Sequence, residues 1–311
     1  MSETTSLPQI PTSLASLRES FAGQSSSTRA LLLMAPLIAF ELLVFVIPFL
    51  ILLRISFAEP SSDLIYEPGS WSVEAYAAVV DNILAFELLW SVVSYSFLLG
   101  VAVTAVTVVL ALFYAYAIWR ATGLVKTLLL FSVVLPLLTT LVIRTYAFTP
   151  LLSPSGTVND ILLSTGLLSE SVQFVPSMAG AVIGQVYIVL PYAVLAIYSV
   201  LATMDWHVVE AARDLGASRP RSVAEVVVPQ AMPGIIVAAV ISFAWSVGAY
   251  AAPGLLSENI TFALHVEELL LGDLRYPTAA ALSVIMLLLM LVSVSIMFAV
   301  LNRFGGDFDL A

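Results

Sequence analysis

The sequence predicts an all-α membrane protein with six transmembrane helices. Only 10% of its 311 residues are charged and 60% are hydrophobic, whereas a soluble domain carries about 25% charged residues. The apolar residues are concentrated in continuous runs, each near the roughly 20 residues that cross a bilayer. Because the runs do not alternate between apolar and polar residues, helices are favoured over a barrel. The six runs are Ala30–Leu53, Val92–Trp119, Val125–Phe148, Met178–Leu201, Gly234–Leu256 and Ala279–Leu301.

The chain divides into a polar start and a long apolar remainder. Residues 1–28 are rich in Ser, Thr and Gln, and we expect them to form a mobile cytoplasmic tail. Residues 29–311 are expected to form the transmembrane domain. The first apolar run is long enough to span the membrane, whereas a cleaved signal peptide has a shorter apolar core near its start. We therefore expect this run to be a retained helix.

The charged residues predict the orientation of the spans. With both termini in the cytoplasm, most basic residues fall on the inside, which agrees with the positive-inside rule. The inside would then hold Arg18, Arg29, Arg120, Lys126, Arg213, Arg219, Arg221 and Arg303. The outer loops, at 57–90, 149–177 and 257–278, would be strongly acidic. Their carboxylates are Glu59, Asp63, Glu67, Glu74, Asp81, Glu87, Asp160, Glu170, Glu258, Glu267, Glu268 and Asp273.

Several classes of chemistry are disfavoured by the composition. The chain has no cysteine and only two distant histidines, His207 and His265, so we expect neither disulfides nor a metal site. The sequence has neither a pair of intramembrane carboxylates nor a Gly-x-Ser-x-Gly elbow, so it gives no sign of an enzyme. A nucleotide-binding P-loop needs Gly-Lys-Ser/Thr, but the only lysine, Lys126, follows Val125. We expect no catalytic residue, no cofactor of the chain's own and no nucleic-acid partner.

The inner loop at about 202–233 has a distinct pattern. Asp205 is a candidate N-cap for a helix that runs to Leu215, and Gly216 breaks that helix. A second helix is predicted from Arg219, with Pro220 suited to its first turn. Pro229 and Pro233 are expected to close the segment. The pattern thus predicts two short helices that meet at a glycine turn on the cytoplasmic surface.

This loop carries a family motif. Residues 210–218, EAARDLGAS, followed by VPQAMPGI at 228–235, resemble the EAA loop of permease subunits of binding-protein-dependent ABC importers. The resemblance implies a MetI-like transmembrane domain in the inner membrane of a prokaryotic cell. It also implies that the loop lies on a separate ATP-binding subunit and transmits its closure. Without the flanking spans, an ordinary amphipathic helix with a glycine C-cap would be the alternative.

The local chemistry of the loop agrees with this implied role. Glycine allows the positive φ of a sharp turn, small alanines permit close docking, and the charged side chains can pair with a partner. The predicted coupling residues are Glu210, Ala211, Ala212, Arg213, Asp214, Gly216, Ala217 and Pro229.

Other segments resemble the spermidine/putrescine-type permeases of this family. These are 142–146 (VIRTY), 155–159 (SGTVN), 184–193 (GQVYIVLPYA) and 246–256 (SVGAYAAPGLL). The likeness implies import of a polyamine, with three partners besides membrane lipid. These are a dimer of ATP-binding subunits that binds ATP and Mg, a second, homologous permease, and an extracytoplasmic substrate-binding protein. Where family members often have a glycine pair after Leu256, this chain has Ser-Glu-Asn, so ferric iron, other amines and small organic acids remain alternatives. A self-contained secondary transporter is a further alternative, although such proteins often show two related halves and none is visible here.

Polar and aromatic residues within the spans are candidates for the substrate pathway. An intramembrane carboxylate is costly and usually faces a partner or a cavity, while aromatic faces attract cations. Contact with another helix, snorkelling and core packing are the competing roles. The candidates are Glu41, Arg144, Tyr146, Tyr187, Trp245 and Tyr250.

Overall fold

The computed structural model describes the backbone of residues 26–61 and 65–305 and the side chains of 33–61 and 65–303. All regular secondary structure in these ranges is helical. The predicted cytoplasmic tail falls almost entirely outside the described residues, since the first helix begins at Ser26. The chain forms two units, residues 1–55 and 56–311.

The first unit contains the first predicted span. An α-helix, Ser26–Glu41, continues through a π turn at Leu42–Val46 into a second α-helix, Ile47–Ser56. Of this helix, Leu33–Ser56 is long and apolar enough to cross a membrane. The π turn follows Glu41 directly, and such turns often mark functional positions in helices.

The second unit is built on four long, apolar helices, which we name by their place in the predicted order of spans. The second, fourth and fifth spans pack on one another over most of their lengths. Close approach depends on glycine. A Cβ on Gly100 would lie 2.6 Å from the Val247 side chain, and one on Gly234 would lie 2.7 Å from the Ala196 carbonyl. Small residues at such crossings allow tight packing without a hydrophobic driving force. The four helices are the second (Leu88–Arg120), fourth (Met178–Leu201), fifth (Arg219–Val247) and sixth (Tyr276–Gly305) spans.

The third span is not the continuous helix that was predicted for Val125–Phe148. Gly123–Val134 is α-helical and Leu135–Leu138 is a 3₁₀ turn. Thr139 and Thr140 are then extended, and the helices that follow are bent by 107° from the first half. Pro136 lacks an N–H donor, which favours the break. The third span is therefore either a broken helix or a re-entrant one, alongside five other candidate spans in the described part of the chain.

The fifth span also differs from the prediction of Gly234–Leu256. It begins at Arg219 and ends at Val247, and Ala251–Leu256 forms a separate short helix. The expectation that Pro229 and Pro233 close the inner segment is therefore wrong. A π turn at Val223–Val227 precedes Pro229, with Val228 N–H donating to the Val223 carbonyl. The wide turn accommodates residues that lack a helical N–H donor.

The predicted outer loops contain short helices and a buried asparagine that holds one of the loops together. A helix at Glu74–Leu84 packs on the sixth span. In the second outer loop, the fully buried Asn159 donates to the carbonyls of Ser153 (3.0 Å) and Val172 (2.9 Å). Its Oδ1 accepts from the Val172 N–H at 2.8 Å. One side chain thus ties together three parts of this loop.

Candidate coupling surface and transport pathway

A short helix, Trp206–Asp214, begins the loop that carries the EAA motif; we call it the loop helix. The predicted N-cap is confirmed, because Asp205 Oδ1 accepts from the His207 N–H at 3.0 Å. The glycine turn is also confirmed. Gly216 has a φ of +96°, its N–H donates to the Arg213 carbonyl, and Ala217 N–H donates to the Ala212 carbonyl. This is the Schellman ending of a helix, for which glycine is preferred.

The loop helix is anchored by one face and exposed on the other. Val209 is buried to 1% exposure in a cluster that includes Ile197 of the fourth span and Val227 of the fifth. Leu215, at the other extreme, is 91% exposed.

An open polar cleft of about 610 Å³ lies beside the turn. It presents both signs of charge on a fixed backbone, which suits docking of a charged partner. Of the other predicted coupling residues, Ala211 and Gly216 are exposed and Ala212 is half-buried. Pro229 is exposed and lies apart from them, within the fifth span. The cleft is lined by Glu210, Arg213, Asp214, Ala217, Ser218 and Arg219.

The carboxylate of Glu210 is held in place by two side chains that were not among the predicted site residues. Its Oε1 accepts from Trp206 Nε1 at 2.9 Å, and its Oε2 lies 3.1 Å from His207 Nδ1. The i,i+4 spacing of Trp206 and Glu210 on one helix face was the available signal. These contacts pre-orient the EAA glutamate at the edge of the cleft.

The second span ends against the loop helix. The Arg120 guanidinium carbon lies 3.8 Å from the centroid of the Trp206 ring. The Trp119 ring meets the same indole edge-on, with centroids 5.1 Å apart. Both distances lie within the range of favourable cation–π and aromatic contacts.

Two of the predicted pathway residues lie on the short helix Leu141–Tyr146, after the break in the third span. Arg144 is half-buried, and its Nε and Nη1 are buried without a hydrogen-bond partner among the described residues. Tyr146 is exposed. Buried N–H donors without an acceptor are costly, so this position is suited to binding an acceptor from outside the described residues.

Two more candidates lie on the fourth and fifth spans. The Tyr187 ring meets Phe148 with centroids 5.2 Å apart, and Trp245 meets Tyr192 at 4.8 Å. Tyr187 and Trp245 are 37% and 41% exposed. Their rings therefore combine aromatic packing on one side with an accessible face on the other.

The remaining candidates lie elsewhere. Tyr250 follows the end of the fifth span and donates to Glu267 Oε1 at 2.8 Å. That hydrogen bond to a carboxylate raises the pKa of the Tyr250 phenol. Glu41 belongs to the first unit, where it is exposed beside the π turn.

Comparison with known proteins identifies the family. Residues 107–305 match the model described as "Binding-protein-dependent transport system inner membrane component". The chain is similar to the spermidine/putrescine transport system permease protein PotB of Escherichia coli K12, with 28% identity over 71% of this chain and 79% of the relative. For PotB of Haemophilus influenzae, the identity is 32% over 64% of this chain and 68% of the relative.

A solved structure has the same fold. It is a bacterial alginate ABC transporter in complex with an alginate pentasaccharide-bound periplasmic protein, with a TM-score of 0.69 and 19% identity. The match covers 90% of this chain and 97% of that chain. The family match over most of the chain places the protein among the inner membrane permease components of binding-protein-dependent transport systems.

Proposed function

We propose that this permease imports a polyamine of the spermidine/putrescine type, delivered by an extracytoplasmic binding protein and driven by ATP hydrolysis in a separate subunit. The loop helix is the observation that supports the proposed coupling of transport to ATP hydrolysis. Its anchored face, its charged cleft and its fixed glycine turn form a rigid docking element of both charge signs. A dimer of ATP-binding subunits would bind ATP and Mg, since this chain has no lysine after a glycine and so lacks the P-loop pattern.

The proposed arrangement places both termini and the loop helix in the cytoplasm. The basic residues Arg120, Lys126 and Arg213 would then lie on the inner side, as the positive-inside rule requires. A second, homologous permease would complete the pathway. The exposed faces of Tyr187 and Trp245 would be directed at that pathway.

Similarity to the PotB relatives and the acidic outer loops support the polyamine. An anionic mouth raises the local concentration of a cationic substrate. Accessible aromatic faces such as those of Tyr187 and Trp245 attract an ammonium group by about 0.5–2 kcal/mol each. These features are independent of the coupling surface.

One observation favours a second candidate, a small organic acid. Buried N–H groups of Arg144 have no acceptor among the described residues. A carboxylate would satisfy them, and Arg is well suited to bind carboxylates. Ferric iron and other amines are further alternatives.

Uptake by cells with and without this gene tests the substrate. We expect the deletion to lose uptake of radiolabelled putrescine or spermidine and to regain it when the gene is restored. Unchanged polyamine uptake together with lost uptake of a carboxylate would reject the polyamine and support the organic acid.

A further inference from the structure

We propose that Arg120, Trp119 and Trp206 form a clamp that carries movement of the loop helix into the second span. This inference rests on the proposed docking of an ATPase on the loop helix. It concerns three side chains outside the EAA motif, and it assigns them a positioning role in coupling.

The clamp joins two elements that are distant in sequence. Arg120 is the last residue of the second span, and Trp206 is the first residue of the loop helix. The guanidinium carbon stacks 3.8 Å from the indole centroid. Trp119 covers the edge of the same ring at an interplanar angle of 61°. A cation at the carboxyl end of a long helix is also favoured by the helix dipole.

The nitrogen of the same indole holds the EAA glutamate. Trp206 Nε1 donates to Glu210 Oε1 at 2.9 Å. One aromatic side chain therefore connects the carboxylate at the docking cleft to the end of the second span. A displacement of Glu210 by a partner would move the indole, and Arg120 would follow because it covers the indole face.

The base of the second span can carry such a displacement. Ile118, two residues before Arg120, is fully buried in the cluster that also contains Val209 of the loop helix and Leu201 of the fourth span. Interiors that are packed this closely transmit displacement instead of absorbing it. The second span then runs through the helical core, in contact with the fourth and fifth spans.

The test uses the complete transporter, with both permeases, the ATPase and the binding protein, in proteoliposomes. Arg120→Gln and Trp206→Ala are compared with wild type for substrate transported per ATP hydrolysed. We expect Arg120→Gln to co-purify with the ATPase and retain basal hydrolysis, while the transport-to-hydrolysis ratio of both variants falls about two- to fivefold, the range of a cation–π contact at an exposed site.

Further variants separate a clamp from local packing. Trp206→Phe keeps an aromatic face and is expected to retain a higher ratio than Trp206→Ala. Arg120→Lys is expected to keep a higher transport-to-hydrolysis ratio than Arg120→Gln. The double variant Arg120→Gln/Trp206→Ala should have a ratio no lower than that of the more severe single variant. Trp90→Ala, at the opposite end of the same helix, is the control and should leave the ratio unchanged.

The proposal is overturned if Arg120→Gln and Trp206→Ala both keep the wild-type ratio. It is also overturned if their separate losses multiply in the double variant, since residues in one contact do not act independently. Failure of the wild-type complex to couple transport to ATP would instead overturn the proposed function, and the clamp with it.

Discussion

Glu210 both lines the docking cleft and makes contacts within the loop helix. Its carboxylate accepts from Trp206 and contacts His207, while it also lines the cleft beside Arg213. Because the oxygens are already oriented, little side-chain freedom remains to be lost when a cationic partner group arrives. The same contacts make the position sensitive to a change of charge.

Glu210→Arg is expected to leave the chain folded and inserted but to lower ATP-dependent transport by about tenfold or to release the ATPase, because an attractive docking contact becomes repulsive. The new cation would lie close to Arg213 and could not accept from Trp206. Transport and ATPase co-purification measure the effect. Glu210→Gln is the control, since its amide oxygen can still accept from the indole. Normal coupling in Glu210→Arg would contradict the role of this residue.

Asn159 shows how a single side chain can fix a loop. It is fully buried and satisfies two carbonyls and one N–H of the second outer loop. Asn159→Ala removes these partners, and a buried unsatisfied group costs about 1–3 kcal/mol. We therefore expect a lower apparent melting temperature of the alanine variant in detergent. An unchanged melting temperature would show that the loop is held by other contacts.

At the scale of elements, the loop helix depends on its glycine ending. Gly216 has a left-handed φ, and a Cβ added to it would meet no atom of the described residues within 4 Å, so the constraint there is conformational. Its N–H also donates to the Arg213 carbonyl. The turn sets the direction in which the chain leaves the loop helix toward the fifth span.

Gly216→Pro is therefore expected to uncouple ATP hydrolysis from transport, because proline fixes φ near −65° and has no N–H donor. Gly216→Asn is the matched control, since asparagine tolerates the left-handed region better than other side chains. Hydrolysis and uptake by the reconstituted complex measure the result. Normal transport rates in the proline variant would exclude the loop as the coupling element.

Local signals predicted some of these elements well and others poorly. Asp205 and Gly216 act within their own turn, so their roles were visible in the sequence. The break at Thr139 was missed, because hydrophobicity continues through it and Pro136 alone does not show where the helix bends. Pro229 was expected to end a segment, but a π turn keeps the helix intact. The contact of Arg120 with Trp206 joins distant parts of the chain, which no local pattern encodes.

At the scale of the whole molecule, the distribution of charge predicts topology. The loop helix and the second outer loop should lie on opposite sides of the membrane. In this cysteine-free chain, Ser218→Cys should react with an impermeant thiol reagent only after the membrane is opened, and Glu170→Cys should react in intact cells. Both positions are exposed. The reverse pattern would overturn the orientation.

In the proposed arrangement, the role of the pathway candidates would depend on a second permease. Tyr187 and Trp245 each keep an accessible aromatic face, and Arg144 has donors without an acceptor among the described residues. The sequence identified them only as polar or aromatic residues within the predicted spans. In the proposed arrangement a second permease would decide which of them meet substrate, so a single sequence could not assign it.

In the proposed function, this permease moves its substrate only when a separate ATPase acts on it. The most direct measurement is uptake of radiolabelled spermidine into proteoliposomes that contain the chain either alone or with its second permease, ATPase and binding protein. We predict ATP-dependent uptake by the complete assembly and none by the chain alone. Uptake by the chain alone, driven by an ion gradient and unaffected by ATP, would show instead that the protein is a secondary transporter.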